Sequence, residues 1–182
     1  MNFNIPNSLS VMRILLIPVF LWTYLTASGP EDYYIAAGIL VFSGLSDTVD
    51  GFIARRFHMI TQLGKILDPM ADKLTLASVI CALWIRKPQW WPLYALLIAK
   101  DVLMLLGGIR LMKKNITIEG AKWFGKLSTV MFYVIMVIII ARPDLPDTNI
   151  LVMLMVLALF MIFSFARYCF LFLRMIRSSN GR

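Results

Sequence analysis

"GLSDTVDGFIARRFHMITQLGKILDPMADK" runs from Gly44 to Lys73 and carries four aspartates, Asp47, Asp50, Asp68 and Asp72. Long apolar segments run into it from either side. On insertion scales an aspartate costs roughly 2.5–3.5 kcal/mol at the centre of a membrane helix, and less near the interface. Carboxylates that converge also repel one another. A chain that places them here must hold them with something cationic.

The rest of the chain reads as an integral membrane protein. Hydrophobic residues make up 60% of the 182 residues and charged residues 15%. Six stretches approach or reach the roughly 20 residues that cross a bilayer as a helix. They lie near Leu9–Thr26, Tyr33–Ala54, Asp68–Ile85, Trp91–Met112, Trp123–Ala141 and Ile150–Leu173. The connections are short and no low-complexity linker divides them. The expected architecture is therefore all-α: one bundle of six transmembrane helices over residues 1–176, with a short basic and polar tail at 177–182. A soluble helical core is the poorer reading, because the spans are too long and too uniformly apolar. The opening residues lack a basic n-region and a small-residue cleavage pattern, so the first span is expected to be retained. Pro6-Asn7-Ser8 reads as a helix start with Asn7 or Ser8 as cap. Pro18 falls inside the first span, where neighbouring helices can satisfy the freed carbonyl.

The net charge of +8 follows topology and is not a nucleic-acid footprint. With the N-terminus inside, the inner loops and helix ends hold Arg55, Arg56, Lys113, Lys114, Lys122 and Arg177, among others. The outer side holds only Arg86, Lys87 and Arg142, with four acids beside them. That asymmetry predicts both termini on the cytoplasmic side, and the inner basic residues suit anionic lipid headgroups. Cys81 and Cys169 read as small packing residues, with no metal-type spacing and no disulfide framework. His58 reads as a solvated loop residue.

Asp47 and Asp50 are three positions apart near the inner end of the second span. Asp68 and Asp72 are four apart near the inner start of the third. Each spacing puts a pair on one helix face, and antiparallel neighbours bring the two pairs together. Clustered carboxylate oxygens suit hard divalent cations, and Mg²⁺ favours sites that also take substrate phosphates. The absence of a Cys/His ligand set argues against zinc. Mg²⁺ or Mn²⁺, as two ions bridged by shared aspartates, would clamp a diphosphate and activate an attacking hydroxyl. Gly51, Ala54 and Gly64 leave room for a ligand beside the backbone, and Arg55 offers a planar fork to phosphate oxygens.

Asp47-x2-Asp50-Gly51-x2-Ala54-Arg55-x8-Gly64-x3-Asp68-x3-Asp72 resembles the signature of the CDP-alcohol phosphotransferase family at every position. "NIPNSLSVMRILLIP" and "GKILDPMADK" are similar to segments of its phosphatidylglycerophosphate synthases. The resemblance implies transfer of a phosphatidyl group from CDP-diacylglycerol to an alcohol, with CMP leaving. It implies that Asp47, Asp50 and Asp68 are metal ligands, and that Asp72 is a shared ligand and the general base. It places Gly51, Ala54, Arg55 and Gly64 around the CDP moiety. A homodimer in a bacterial cytoplasmic membrane, with the active site on the cytoplasmic side, is implied in the same way.

The acceptor is less sharply marked. Arg110 and Lys126, at the inner ends of the fourth and fifth spans, are candidates for binding the phosphate of glycerol 3-phosphate, the favoured acceptor. Those synthases usually carry Arg-Glu in the fourth span and Gly-Lys-x-Lys-Thr in the fifth. This chain has Lys100-Asp101 and "GKLST" over Gly125–Thr129. A basic-Asp pair also resembles the family's cardiolipin synthases, whose acceptor is phosphatidylglycerol, so that alternative stays open. Adjacent helical residues point in different directions, so Lys100 and Asp101 are not expected to neutralise each other; Asp101 is expected to face the bundle and find a basic or hydroxyl partner. A transporter with an acidic ion site is the alternative of another class. It lacks support from any inverted repeat, and its site would lie nearer mid-depth.

Overall fold

The computed structural model describes residues 5–56, 64–113 and 123–180. Within its helices the side chains of 5–6, 50, 52–55, 65–66, 69, 105, 108–113, 123–124 and 172–180 lie outside the described residues. His58, Lys114 and Lys122 also lie outside them.

The described chain is all-helical, as expected. The helices are α1 (Ile5–Thr26), α2 (Pro30–Arg56), α3 (Gly64–Arg86), α4 (Trp91–Lys113), α5 (Trp123–Ala141) and α6 (Asp147–Asn180), with a single 3₁₀ turn at Pro88–Trp90 before α4. Each expected span falls within one helix. The ends differ in two places. α1 already starts at Ile5, so Asn7 and Ser8 lie inside its first turns and do not cap it; Pro6 suits the first turn, where its missing N–H costs nothing. α6 continues to Asn180, through most of the stretch expected to be a tail.

Two of the helices carry segments long and apolar enough to cross a membrane among the described residues, Asn7–Thr26 and Asp147–Leu171, and Gly125–Ala141 in α5 is a shorter apolar stretch. α2 and α3 are diluted by their aspartates and serines, and α4 by Lys100 and Asp101. Large apolar side chains nonetheless face outward on most helices: Leu15, Trp22, Leu45, Ile85, Leu159 and Phe170 are between 61% and 73% exposed.

The chain divides into two compact units. The first comprises Met1–Gln89 and Met136–Leu145. In it both α2 and α3 pack on α1, around Phe20, Leu40, Val79, Ile80 and Leu83, all at most 3% exposed. The second comprises Trp90–Ile135 and Pro146–Arg182. There α4 packs on α6, with Tyr94, Leu97, Phe132, Leu154 and Leu157 buried. Cys81 is exposed and so does not pack in the core, whereas Cys169 is half-buried; both are free thiols.

Two local devices fix the ends of α1 and α2. Arg86, at the end of α3, donates through Nη2 to the carbonyls of Tyr24, Leu25 and Ala27 at 3.1, 2.9 and 2.9 Å. Its guanidinium also lies 5.8 Å from the ring centres of both Tyr24 and Tyr33. These are the last carbonyls of α1 and its exit, which have no intrahelical donor. At the start of α2, Pro30 takes the first helical position and Asp32 the third. Asp32 Oδ2 accepts the backbone N–H groups of Ser28 at 2.9 Å and Gly29 at 3.2 Å, a reciprocal cap with the Asp32 N–H bonded to the Gly29 carbonyl.

Arg86→Ala is expected to destabilise the protein by about 1–2 kcal/mol, since charge-assisted bonds at a partly solvated site are discounted from about 1.5–3 kcal/mol. Arg86→Lys should recover only part of this, because an ammonium lacks the planar fork. Thermal unfolding in detergent reads both. The Asp32 carboxyl is held below the ordinary carboxylate range, first by the Ser28 N–H and then by that of Gly29. A lowered folded-state pKa adds stability above the unfolded-state value, which is lost as pH falls through the folded one. Asp32→Asn is therefore expected to flatten the fall in unfolding temperature from roughly pH 4 downward.

Candidate active site

The acidic end of the first unit is organised by a polar face on α1. Asn7, Ser10 and Arg13 are spaced three apart, so they follow one another along one side of the helix. They are 4%, 0% and 0% exposed. Arg13 Nη1 forms an ion pair with Asp47 Oδ1 on α2. Ser10 Oγ donates to Asp68 Oδ1 on α3. Two aspartates from different helices are thus brought to adjacent turns of a third. Burial of a guanidinium without a counter-charge would cost several kcal/mol, so the Asp47 position is dictated by Arg13 as much as by α2 itself.

The other acids follow from the helix. Asp72 lies one turn beyond Asp68 on α3, half-buried, with its Oδ1 atom shielded from solvent. Fully buried Ala71 beside it seats that turn. Asp50 lies on α2 one turn beyond Asp47, and its side chain lies outside the described residues. Gly51 is half-buried on α2, and Gly64, buried, is the first residue of α3. Ala54 and Arg55 lie in the last turn of α2 with their side chains outside the described residues.

Hydroxyls line the helices below the acids. Ser46 Oγ donates to the Phe42 carbonyl at 2.8 Å and Thr75 Oγ1 to the Ala71 carbonyl at 2.9 Å. Ser78 Oγ donates to the Thr75 carbonyl at 2.8 Å. Buried Ser43 Oγ has no hydrogen-bond partner among the described residues. It lines a cavity of about 10 Å³ with Arg13, Leu16, Thr75 and Ser78, among others, space for one water at most.

The donor chemistry fits a hard divalent cation: carboxylate and hydroxyl oxygens, with neither thiolate nor imidazole among them. Asp47 is 38% exposed despite its ion pair. A carboxylate has about four acceptor positions, so one bond to Arg13 leaves capacity for a cation. Among the described residues no group of three or more His, Cys, Asp or Glu side chains gathers into a metal site; Asp50, expected to complete one, is not among those side chains.

Ser10 and Arg13 contact two of the signature aspartates, a placement that motif spacing alone does not reveal. Arg13 is explained equally well by inward-facing positive charge. The signal was available in the three-residue spacing of polar residues along an otherwise apolar helix.

In the second unit, Lys126 is exposed near the start of α5. Arg110 lies in the last turn of α4, with its side chain outside the described residues. The backbone at Gly125 abuts the Tyr168 side chain of α6, where a Cβ would collide with the phenol. The expectation that Lys100 and Asp101 do not neutralise each other is corrected. Lys100 Nζ lies 2.8 Å from Asp101 Oδ1, and both side chains are 17% exposed. Four methylenes let the ammonium swing across the angle between neighbouring Cα–Cβ bonds, and a half-buried setting makes that worthwhile. Lys100 Nζ also contacts Met161 Sδ on α6 at 3.1 Å. Asp101 thus has a basic partner, supplied by its own neighbour.

The signature aspartates on α2 and α3, carried by an all-helical chain, define a class. The family model for CDP-alcohol phosphatidyltransferases matches residues 3–168, and the chain belongs to that family. It is similar to the CDP-diacylglycerol--glycerol-3-phosphate 3-phosphatidyltransferase of Aquifex aeolicus (strain VF5), at 38% identity over 130 residues and 70% of each chain. The enzyme of the same name from Escherichia coli (strain K12) is 31% identical over 151 residues, 80% of this chain and 81% of the relative. A CMP-forming cardiolipin synthase of Streptomyces coelicolor is 39% identical over 107 residues, 57% of this chain and 49% of the relative.

The Lys100–Asp101 contact leads to a double-mutant test. Lys100→Met and Asp101→Asn are each expected to destabilise by about 1–3 kcal/mol, because each leaves a half-buried charge behind. The double variant is expected to lose less than the sum of the two. Detergent thermal unfolding of the four proteins measures it.

Proposed function

We propose that this chain transfers the phosphatidyl group of CDP-diacylglycerol to glycerol 3-phosphate and releases CMP. The observation that carries the proposal is the meeting of Asp47 and Asp68, from α2 and α3, on adjacent turns of α1, within a chain of the CDP-alcohol phosphatidyltransferase family. Phosphoryl-type transfer needs positioning and charge neutralisation more than covalent help from the protein. Asp47, Asp50, Asp68 and Asp72 would hold Mg²⁺ or Mn²⁺, as two ions. The ions supply neutralisation of the diphosphate charge when bound.

The protein's own groups do the remainder. Asp72 accepts the proton of the attacking hydroxyl. The acceptor oxygen bonds to the lipid-side phosphorus, the bond from that phosphorus to the CMP oxygen breaks, and CMP carries away the electron pair. Arg55 supplies a fork to phosphate oxygens, and Gly51, Ala54 and Gly64 let the CDP moiety approach the backbone. Arg110 and Lys126 bind the acceptor phosphate.

The six helices span the membrane, with both termini and the acids on the cytoplasmic side. The outward-facing apolar side chains support lipid contact, because soluble monomers rarely expose large contiguous apolar patches. The protein acts as a homodimer. The acceptor assignment is supported by the relatives of the glycerol-3-phosphate type, which match at least 70% of this chain. Phosphatidylglycerol as acceptor is the second reading, favoured by the Lys100-Asp101 sequence and the Streptomyces relative.

Purified protein given CDP-diacylglycerol and a panel of acceptors is expected to release CMP with glycerol 3-phosphate, only with Mg²⁺ or Mn²⁺, and to stop in chelator. Asp68→Asn should abolish turnover with the protein still folded, whereas Asp47→Asn should abolish turnover and also lower the unfolding temperature, because it leaves buried Arg13 without its counter-charge. Arg110→Ala and Lys126→Ala should weaken glycerol 3-phosphate use by roughly ten- to a hundredfold each, the scale of one charge-assisted hydrogen bond. Release of CMP with phosphatidylglycerol alone moves the assignment to the second reading. No CMP release with any acceptor favours an ion-transport function instead.

A further inference from the structure

A charged side chain with no exposed surface is an uncommon choice for a helix that could satisfy its packing with a leucine. Arg13 is 0% exposed, and its ion-pair partner is Asp47, an aspartate of the family signature. One turn earlier Ser10, also 0% exposed, donates to a second signature aspartate, Asp68. Each bond spans two helices, joining residues 34 and 58 positions apart in the chain. The two contacts use consecutive polar positions on one side of α1. A chance pairing of positive-inside charge with a nearby acid would leave Arg13 near solvent and would not recruit Ser10 to the other helix.

We infer that Arg13 and Ser10 are positioning residues that set the carboxylates of Asp47 and Asp68 in the geometry a divalent cation requires; this rests on the reading of those aspartates as cation ligands. The physical reason is rotamer control. A free aspartate samples several side-chain wells, and a cation that must order two of them binds more weakly. Arg13 holds one oxygen of Asp47, and Ser10 holds one oxygen of Asp68. The orientation is therefore set before the cation arrives. Partners of this kind, one bond removed from a metal, typically change metal affinity by about ten- to a hundredfold when lost. Neither residue touches the substrate in this account.

The test holds charge constant. Arg13→Lys keeps the positive charge and removes the planar fork, so it changes geometry without removing the cation that competes for Asp47. Ser10→Ala removes one hydroxyl, and Ser10→Thr keeps it. Mn²⁺ binding to the detergent-purified protein, read by electron paramagnetic resonance without substrate, gives the affinity directly. Arg13→Lys is expected to weaken Mn²⁺ binding by about ten- to a hundredfold, and Ser10→Ala by about tenfold, with Ser10→Thr restored to within a few-fold of wild type. Unfolding temperatures measured alongside separate positioning from general packing. If Arg13→Lys does not fold, the Ser10 pair decides. Wild-type Mn²⁺ binding with unchanged affinity in Ser10→Ala overturns this inference and leaves the proposed reaction standing. Absence of Mn²⁺ binding in the wild type overturns both.

Discussion

The ion pair between Arg13 and Asp47 is the constraint to which the first unit is built. A guanidinium moved into a poorly solvating interior loses several kcal/mol of hydration, and only a well-placed opposite charge offsets that loss. Arg13 has no exposed surface over which to escape. Its partner must therefore sit at one height on α2 and point one way. Once α1 and α2 are in that register, Ser10 is presented to α3 one turn away, and its bond to Asp68 places the third helix along the same line. Apolar contacts between helices are tolerant of sliding by a fraction of a turn. Polar contacts of this kind are not, because a displaced hydrogen bond leaves buried groups unpaired.

The same helix is held differently at its other end. There Arg86 reaches across from α3 to the carbonyls that close α1 and lies against Tyr24 and Tyr33. Between the two ends the packing is mainly apolar, through Phe20, Leu40 and Leu83, with the buried hydroxyls of Ser43, Thr75 and Ser78 among them. α1 therefore meets α3 through a hydroxyl near its start and through carbonyls at its finish. The acids occupy the end where the partners are ionic and where α2 and α3 carry small residues, Gly51 and Gly64. The end that Arg86 clasps contains no carboxylate of the signature.

Much of this was legible in the sequence because its determinants are local. Apolar run length marks the start of α4 and the end of α5 nearly to the residue, since Trp91 opens the one and Arg142-Pro143 follows the other. The aspartate pairs are legible because spacings of three and four repeat on a helix face. What was not legible depends on side-chain reach and on distant partners. Arg13 carries the same sign as its inner-side neighbours, and charge counting absorbs it without remainder. Asn7 looks like a cap until the helix is seen to begin before it at Ile5. Lys100 and Asp101 look divergent on a helical projection, which records where Cβ points but ignores how far an ammonium can travel. The α6 helix persists to Asn180 because nothing in Arg177-Ser178-Ser179 breaks it, despite a polarity that suggested a tail.

The buried arginine also bears on how such a protein is made. Synthesis proceeds from the N-terminus, so Arg13 leaves the ribosome 34 residues ahead of Asp47. For a chain that enters a bilayer as it emerges, α1 arrives carrying a full positive charge whose neutraliser does not yet exist. Near a helix end that charge can rest at the headgroup layer by extending toward water. It can move inward only when α2 arrives beside it. The first two helices are then best delivered as a hairpin, with α1 shallow until its counter-ion follows. Asp68 comes later still, 58 residues after Ser10.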